Sequence, residues 1–147
     1  MNHYKSIARG VFYCHQTPKV VNADDIQFLY TYCKDSRIPS ARICFHPNEQ
    51  SVLMQMLIVN LGFYQYPPHK HPGKPESYTV LDGTCNFNLY DDFGQITSTV
   101  RLEAGSSYLN DSQCYHALLP LTSNIAYLET TIGPFIPNQN IFLETKP

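Results

Sequence analysis

Pro67-Pro68-His69-Lys70-His71-Pro72-Gly73-Lys74-Pro75-Glu76 is the most informative stretch of this 147-residue chain. On a strand, side chains alternate with period 2, so His69 and His71 share one face and Lys70 points away. The turn-rich Pro72-Gly73-Lys74-Pro75 then delivers Glu76 to the start of a following strand, and Gly83 allows that strand to reverse sharply. Pro67 and Pro68 stiffen the approach to His69, which lowers the entropy lost on arranging ligands. A third histidine, His116, comes from a distant strand. Three imidazoles and one carboxylate form a ligand set suited to one divalent first-row metal ion, with Zn, Mn, Fe, Ni and Co all compatible.

Outward from this stretch, the pattern is one of short strands. Ala41–His46 alternates, with Ala41, Ile43 and Phe45 on one face and Arg42, Cys44 and His46 on the other. Val52–Val59 is a nearly continuous apolar run, as in a strand covered on both faces. Strands are predicted over Glu76–Asp82, around Cys85, Phe87 and Leu89, and over Ile96–Leu102, Ser107–Asn110, Cys114–Leu119 and Asn124–Thr131. Asp91-Asp92-Phe93-Gly94 reads as a hairpin loop with glycine at the left-handed position. Before Ser40 there is one helix, capped by Asn22 or Asp24, with Ile26, Leu29, Tyr30 and Cys33 at i, i+3, i+4 and i+7. Residues 6–22 read as two extended pieces split at Thr17-Pro18. Nine or more strands and one early helix predict an all-β fold, a jelly-roll barrel in which strands distant in sequence meet. The expected organisation is a single domain: an N-terminal extension with the helix over 1–39, the barrel over 40–137 and a tail over 138–147.

Composition narrows the partners. A formal net charge of −2 argues against nucleic acid, which demands a basic face. The apolar run Val52–Val59 is interrupted by Gln55 and falls short of the ~20 residues a membrane helix needs. Five cysteines without a C-x-x-C pair, and a start without an apolar leader, lead to the expectation of reduced thiols in a cytoplasm. Exposed edge strands and many aromatics make a homodimer a further expectation.

Gly62, His69, His71, Glu76 and Gly83 resemble the first motif of the cupin superfamily, and Gly105 with His116 resembles part of the second. A closer resemblance is to the WbuC family of cupin-fold metalloproteins, often associated with O-antigen and other surface-polysaccharide gene clusters. It runs from about Ser40 to Pro137. It rests on Ala41-Arg42 with His46, Gln55-Met56, Pro68-His69 with His71, Glu76, Gly83, His116, and Glu129 ahead of Gly133-Pro134-Phe135. The resemblance implies a cupin fold, a bound metal and a polysaccharide-related setting; it supplies no reaction.

Other side chains complete the candidate site. Arg42 and His46 share a face that is either solvated or turned into the barrel mouth. In the second case Arg42 can clamp a carboxylate or phosphate through its planar fork, and His46 can act as acid or base. Gln55 breaks an apolar run and is expected to be buried and hydrogen-bonded, or in ligand contact. Glu129 is a candidate proton carrier or a member of a structural ion pair. Cys114 is read as a small buried residue, or as a thiol near the metal. Tyr64, Tyr66, Tyr78 and Tyr127 suit both the core and stacking on a sugar ring, with Tyr78 taken as a ligand contact.

Three functions follow as expectations. One is a metal-dependent isomerase or epimerase of a sugar or sugar nucleotide, with Glu129 or His46 carrying the proton. Another is an Fe(II)-dependent oxygenase. The last is a non-catalytic, metal-dependent sugar-binding module.

Overall fold

A computed structural model describes residues 3–111 and 113–144. The chain runs β1 (Tyr4–Ala8), β2 (Val11–Cys14), α1 (Ala23–Ser36), β3 (Ser40–Cys44), β4 (Leu53–Leu61), β5 (His69–Lys70) and β6 (Glu76–Asp82). It continues through β7 (Thr84–Tyr90), β8 (Ile96–Glu103), β9 (Ser107–Asn110), β10 (Tyr115–Pro120), β11 (Asn124–Ile132) and β12 (Ile141–Phe142). Two sheets form, a seven-stranded one in the order β1-β2-β3-β4-β11-β6-β9 and a five-stranded one in the order β12-β5-β10-β7-β8. From β4 to β11 the chain passes back and forth between the sheets, apart from the β7–β8 hairpin within the smaller one, so the all-β expectation holds.

The helix forms where the capping chemistry places it. Asn22 Oδ1 accepts from the backbone N–H groups of Asp24 (2.9 Å) and Asp25 (3.3 Å), and Asp25 Oδ2 accepts from Asn22 N–H (2.8 Å). Arg37, at φ 53°, closes the other end in the left-handed conformation. Leu29, Tyr30 and Cys33 are buried with Phe12, Ala41, Ile43, Leu57 and Val59 in a core between α1 and the large sheet. Strands β2 and β3 pair in parallel, which requires the crossover that α1 supplies.

A second core lies between the sheets. Tyr78, Val80, Ile125 and Tyr127 of the large sheet meet Cys85, Phe87, Leu102 and Leu118 of the small one. The two faces of β4 therefore serve different cores, Leu57 and Val59 the first and Ile58 the second, which explains its unbroken apolar run. Gly83 joins the sheets at φ 82°, where a Cβ atom would lie 2.5 Å from the Asn124 carbonyl oxygen, so only glycine fits.

Two expectations are corrected. The N-terminal pieces divide at Arg9-Gly10, because β1 and β2 form a hairpin there; Thr17-Pro18 lies beyond β2. The extension over 1–39 thus supplies two strands to the large sheet, continuous with the barrel. The region 138–147 is more than a tail, since Ile141 and Phe142 pair with Lys70 and His69; residues 145–147 lie outside the described part. No helix among the described residues is long and apolar enough to cross a membrane.

Candidate metal centre

His69 and His116 face each other across the β5–β10 ladder, and their rings are 4.7 Å apart. His71 follows β5 in the turn that crosses to the large sheet, with its ring 5.1 Å from His116 and 5.5 Å from His69. One nitrogen of each imidazole lies within 4.8 Å of the others. Glu76 opens β6 opposite this trio. Its Oε1 is 2.8 Å from His71 Nε2 and its Oε2 is 3.1 Å from His116 Nε2. Tyr78 donates to the same Oε2 at 2.5 Å. Lys70 points away as the alternation predicts, pairing with Asp92 at 2.9 Å and covering the Tyr115 ring.

The backbone fixes the imidazoles. His69 Nδ1 is 3.0 Å from the Pro67 carbonyl and His116 Nδ1 is 3.2 Å from the Cys114 carbonyl. A carbonyl only accepts, so each Nδ1 carries the proton and each Nε2 offers a lone pair. Nε2 of His71 and of His116 is buried without an aligned hydrogen bond, despite the nearby carboxylate. Buried lone pairs left without a donor, converging beside a carboxylate, fit a divalent cation. His69, His71, His116 and Glu76 are the residues that would hold it.

The electrostatics agree with a dense polar cluster. Burial, reinforced by the neighbouring His116, drives the His69 imidazole down to about 4. Burial pushes the other way on Glu76, but its contacts with His116 and His71 outweigh it and hold the carboxyl at about 2. Burial lowers His71 as well, yet the Glu76 carboxylate prevails and raises it. Beneath the cluster, Phe87 stacks on His116 at 5.6 Å with ring planes 14° apart.

The centre opens into a cavity of about 420 Å³ on the inner face of the large sheet. Arg42, His46 and Glu129 line it, so the Arg42–His46 face looks into the barrel. His46 is buried, its Nδ1 3.2 Å from the Gln55 carbonyl, and burial lowers its pKa. Glu129 sits beside Tyr78 in the β6–β11 ladder. Burial, with Glu76 adding to it, lifts its carboxyl to about 8, and Arg42 opposes the rise. No cation of the described residues lies within 4 Å of it, so the ion-pair alternative for Glu129 is not realised.

Gln55 and Tyr78 follow their hydrogen-bonded and core readings, and Cys114 follows neither of its readings. Gln55 does not line the cavity; alternation turns it to the other face of β4, where its amide donates to Thr130 Oγ1 at 3.2 Å. Tyr78 borders the cavity, but its hydroxyl is engaged by Glu76 and its ring packs 4.8 Å from Phe87, so it positions the carboxylate. Cys114 is exposed, neither buried nor in the cavity wall; only its carbonyl serves the site, through His116.

Sequence reasoning missed two contributors. Tyr13, from the N-terminal hairpin, meets His46 edge-on at 5.6 Å; its alternation with the core residues Phe12 and Cys14 was the available signal. Phe142 packs 6.0 Å from His69 and 5.9 Å from Tyr66, and two residues of strand carry no periodicity.

A jelly roll whose two sheets bring together three histidines and a glutamate defines a cupin-fold protein with a candidate metal centre. The chain belongs to the family described as "Domain of unknown function (DUF6016)", whose model matches residues 22–102, just over half of it. Among solved structures it is similar to CapF, crystallised with the inhibitor 3-isopropenyl-tropolone, at TM-score 0.62 and 15% identity over 90% of this chain and 36% of that one. It is similar to KdgF from Halomonas sp. at TM-score 0.54 and 15% identity, over 67% of this chain and 82% of that one. It is also similar to Bacillus subtilis oxalate decarboxylase, described for its Mn(II) centres, at TM-score 0.53 and 15% identity over 63% of this chain and 24% of that one. The chain thus spans well under half the length of CapF and of the decarboxylase. At such identity the likeness concerns the fold. No curated protein matches the sequence.

Proposed function

We propose that this protein is a metal-dependent enzyme acting on a sugar or sugar nucleotide, by isomerisation or epimerisation, in surface-polysaccharide biosynthesis. The observation that carries the reading is the opening of the three-imidazole, one-carboxylate centre into a cavity of about 420 Å³ walled by aromatic, amide and charged groups. Tyr64 and Tyr66 offer ring faces and hydroxyls, and Asn140 offers an amide, the combination that suits a sugar ring and its hydroxyl groups. A divalent ion held there supplies Lewis-acid polarisation of a substrate oxygen.

The chain's own groups would handle the proton. Glu129, with its carboxyl at about 8, is a proton donor at neutral pH and a base once deprotonated. His46, lowered by burial, is neutral at that pH and accepts a proton on the same wall. The polysaccharide setting rests on the resemblance to the WbuC family. The five unpaired cysteines are in keeping with a reducing cytoplasm.

The test begins with metal analysis by mass spectrometry of protein purified without chelator, alongside His69→Ala, His71→Ala and His116→Ala. Near-stoichiometric metal in the wild type, lost in the variants, is expected. The loaded protein is then screened against sugars and sugar nucleotides for a melting-temperature shift and for turnover. Absence of metal after reloading, or of any shift and turnover, would sink the reading. Binding without turnover would leave a sugar-binding module, and oxygen uptake dependent on Fe(II) would make it an oxygenase.

A further inference from the structure

Three cations line the cavity, and their partners set them apart. Arg9 Nη2 donates to the Ser36 carbonyl at 2.6 Å, and Lys74 Nζ donates to the Pro134 carbonyl at 2.6 Å. Both are occupied with backbone. Arg42 makes no ion pair among the described residues, and its polar neighbour is the buried thiol of Cys44. Two carboxyl groups, Glu49 and Glu129, share the wall with it, and neither comes within 4 Å of the guanidinium.

Arg42 also stands at a definite distance from the metal centre. It pairs with Ile58 of β4, Ile58 pairs with Tyr127 of β11, and Tyr127 pairs with Val80 of β6, the strand that Glu76 begins. Three inter-strand spacings of about 4.8 Å separate the two strands by roughly 14 Å across the sheet, and Val80 stands four residues, about 13 Å, along β6 from Glu76. The two offsets combine to roughly 19 Å between backbone positions, and the reach of the arginine and ligand side chains shortens this to about the length of a sugar ring carrying a charged substituent.

From this placement we infer that the cavity recognises an acidic sugar, with Arg42 binding its carboxylate or phosphate while the ring reaches toward the histidines. This rests on the sugar reading above and narrows it. A planar guanidinium without a counter-ion, in a half-enclosed cavity, presents paired N–H donors that match an oxyacid in a bidentate fashion. An anion there would give Arg42 the ion pair that it lacks among the described residues. Arg42 is exposed and outside both cores, so its replacement leaves the scaffold intact.

The test is calorimetric titration of metal-loaded protein with D-glucuronate, D-glucose 1-phosphate and D-glucose. The wild type, Arg42→Gln, Arg42→Lys and His116→Ala are compared, with metal content and melting temperature measured on each. At least one acid is expected to bind about tenfold or more tightly than glucose. Arg42→Gln should abolish that preference and Arg42→Lys retain part of it, with metal content and melting temperature unchanged. The acid that shows the preference tells carboxylate from phosphate. Equal binding of glucose and the acids by wild type would overturn the inference while leaving the sugar reading standing, as would an acid preference that survives Arg42→Gln. No binding of any of the three would overturn both. An Arg42-dependent acid preference that persists in metal-free His116→Ala would uphold the subsite and count against the metal-dependent reading.

Discussion

Phe142 and His69 are partners in the β5–β12 ladder, with their rings 6.0 Å apart. The same segment is tied down by Leu143 N–H donating to the Pro68 carbonyl at 2.9 Å. A candidate metal ligand on a strand of only two residues is therefore braced on both sides, by β10 and by the last described strand. Residues that orient a ligand matter nearly as much as the ligand itself. Phe142→Ala is expected to weaken metal binding by about tenfold. Its melting temperature should change little, because Phe142 belongs to neither core. Competition with a chromophoric chelator measures the first effect and a thermal melt the second.

Glu76 is held at about 2, well below the ordinary carboxylate range, by the two histidines. A carboxyl depressed by folding adds stability above its unfolded pKa, and the addition disappears as pH falls through the folded value. Glu76→Gln should therefore melt lower than wild type at pH 7, and the gap should close as pH drops from about 4.5 toward 2. Melts of metal-free protein across that range check the sign.

Glu129 behaves oppositely. Its carboxyl lies near 8, so the charged form is disfavoured in the folded state. The penalty is absent below about pH 4.5, grows as pH rises, and is complete above the folded value. Glu129→Gln removes it. The variant should match wild type near pH 4 and exceed it by a few kcal/mol at pH 9, at about 1.4 kcal/mol per pH unit of displacement. A melting-temperature difference that failed to widen with pH would contradict the placement of Glu129.

Phe87 is 1% exposed and carries both the inter-sheet core and His116. Phe87→Ala should cost about 3–5 kcal/mol in denaturant unfolding. Phe87→Leu refills most of the space but loses the flat surface under His116. It should keep most of the stability and lose metal affinity more than Phe142→Ala does.

Much of this was legible in the chain. His69, His71 and Glu76 could be read because they lie within one strand and one turn, where alternation and proline stiffness act locally. His116 could be added only through its resemblance to a second motif. The helix from Asn22 onward was legible because capping and a 3.6-residue period are both local. For Gln55 the choice between a hydrogen-bonded residue and a ligand contact stayed open, because a run that is apolar on both faces gives no sign of which face meets the cavity. Tyr78 was legible as a core residue, but alternation does not name the partner of its hydroxyl.

The sequence by itself determined the strand-rich fold, the single helix among the described residues and the local placement of His69, His71 and Glu76, since these follow from short-range periodicity and from the chemistry of the residues. Only the tertiary structure decided that the N-terminal hairpin extends the large sheet, that Phe142 pairs with His69, and that Arg42 alone of the three cavity cations has neither a carboxylate nor a backbone partner among the described residues. Each of these depends on chain segments far apart in sequence, and no local preference records which of them will meet.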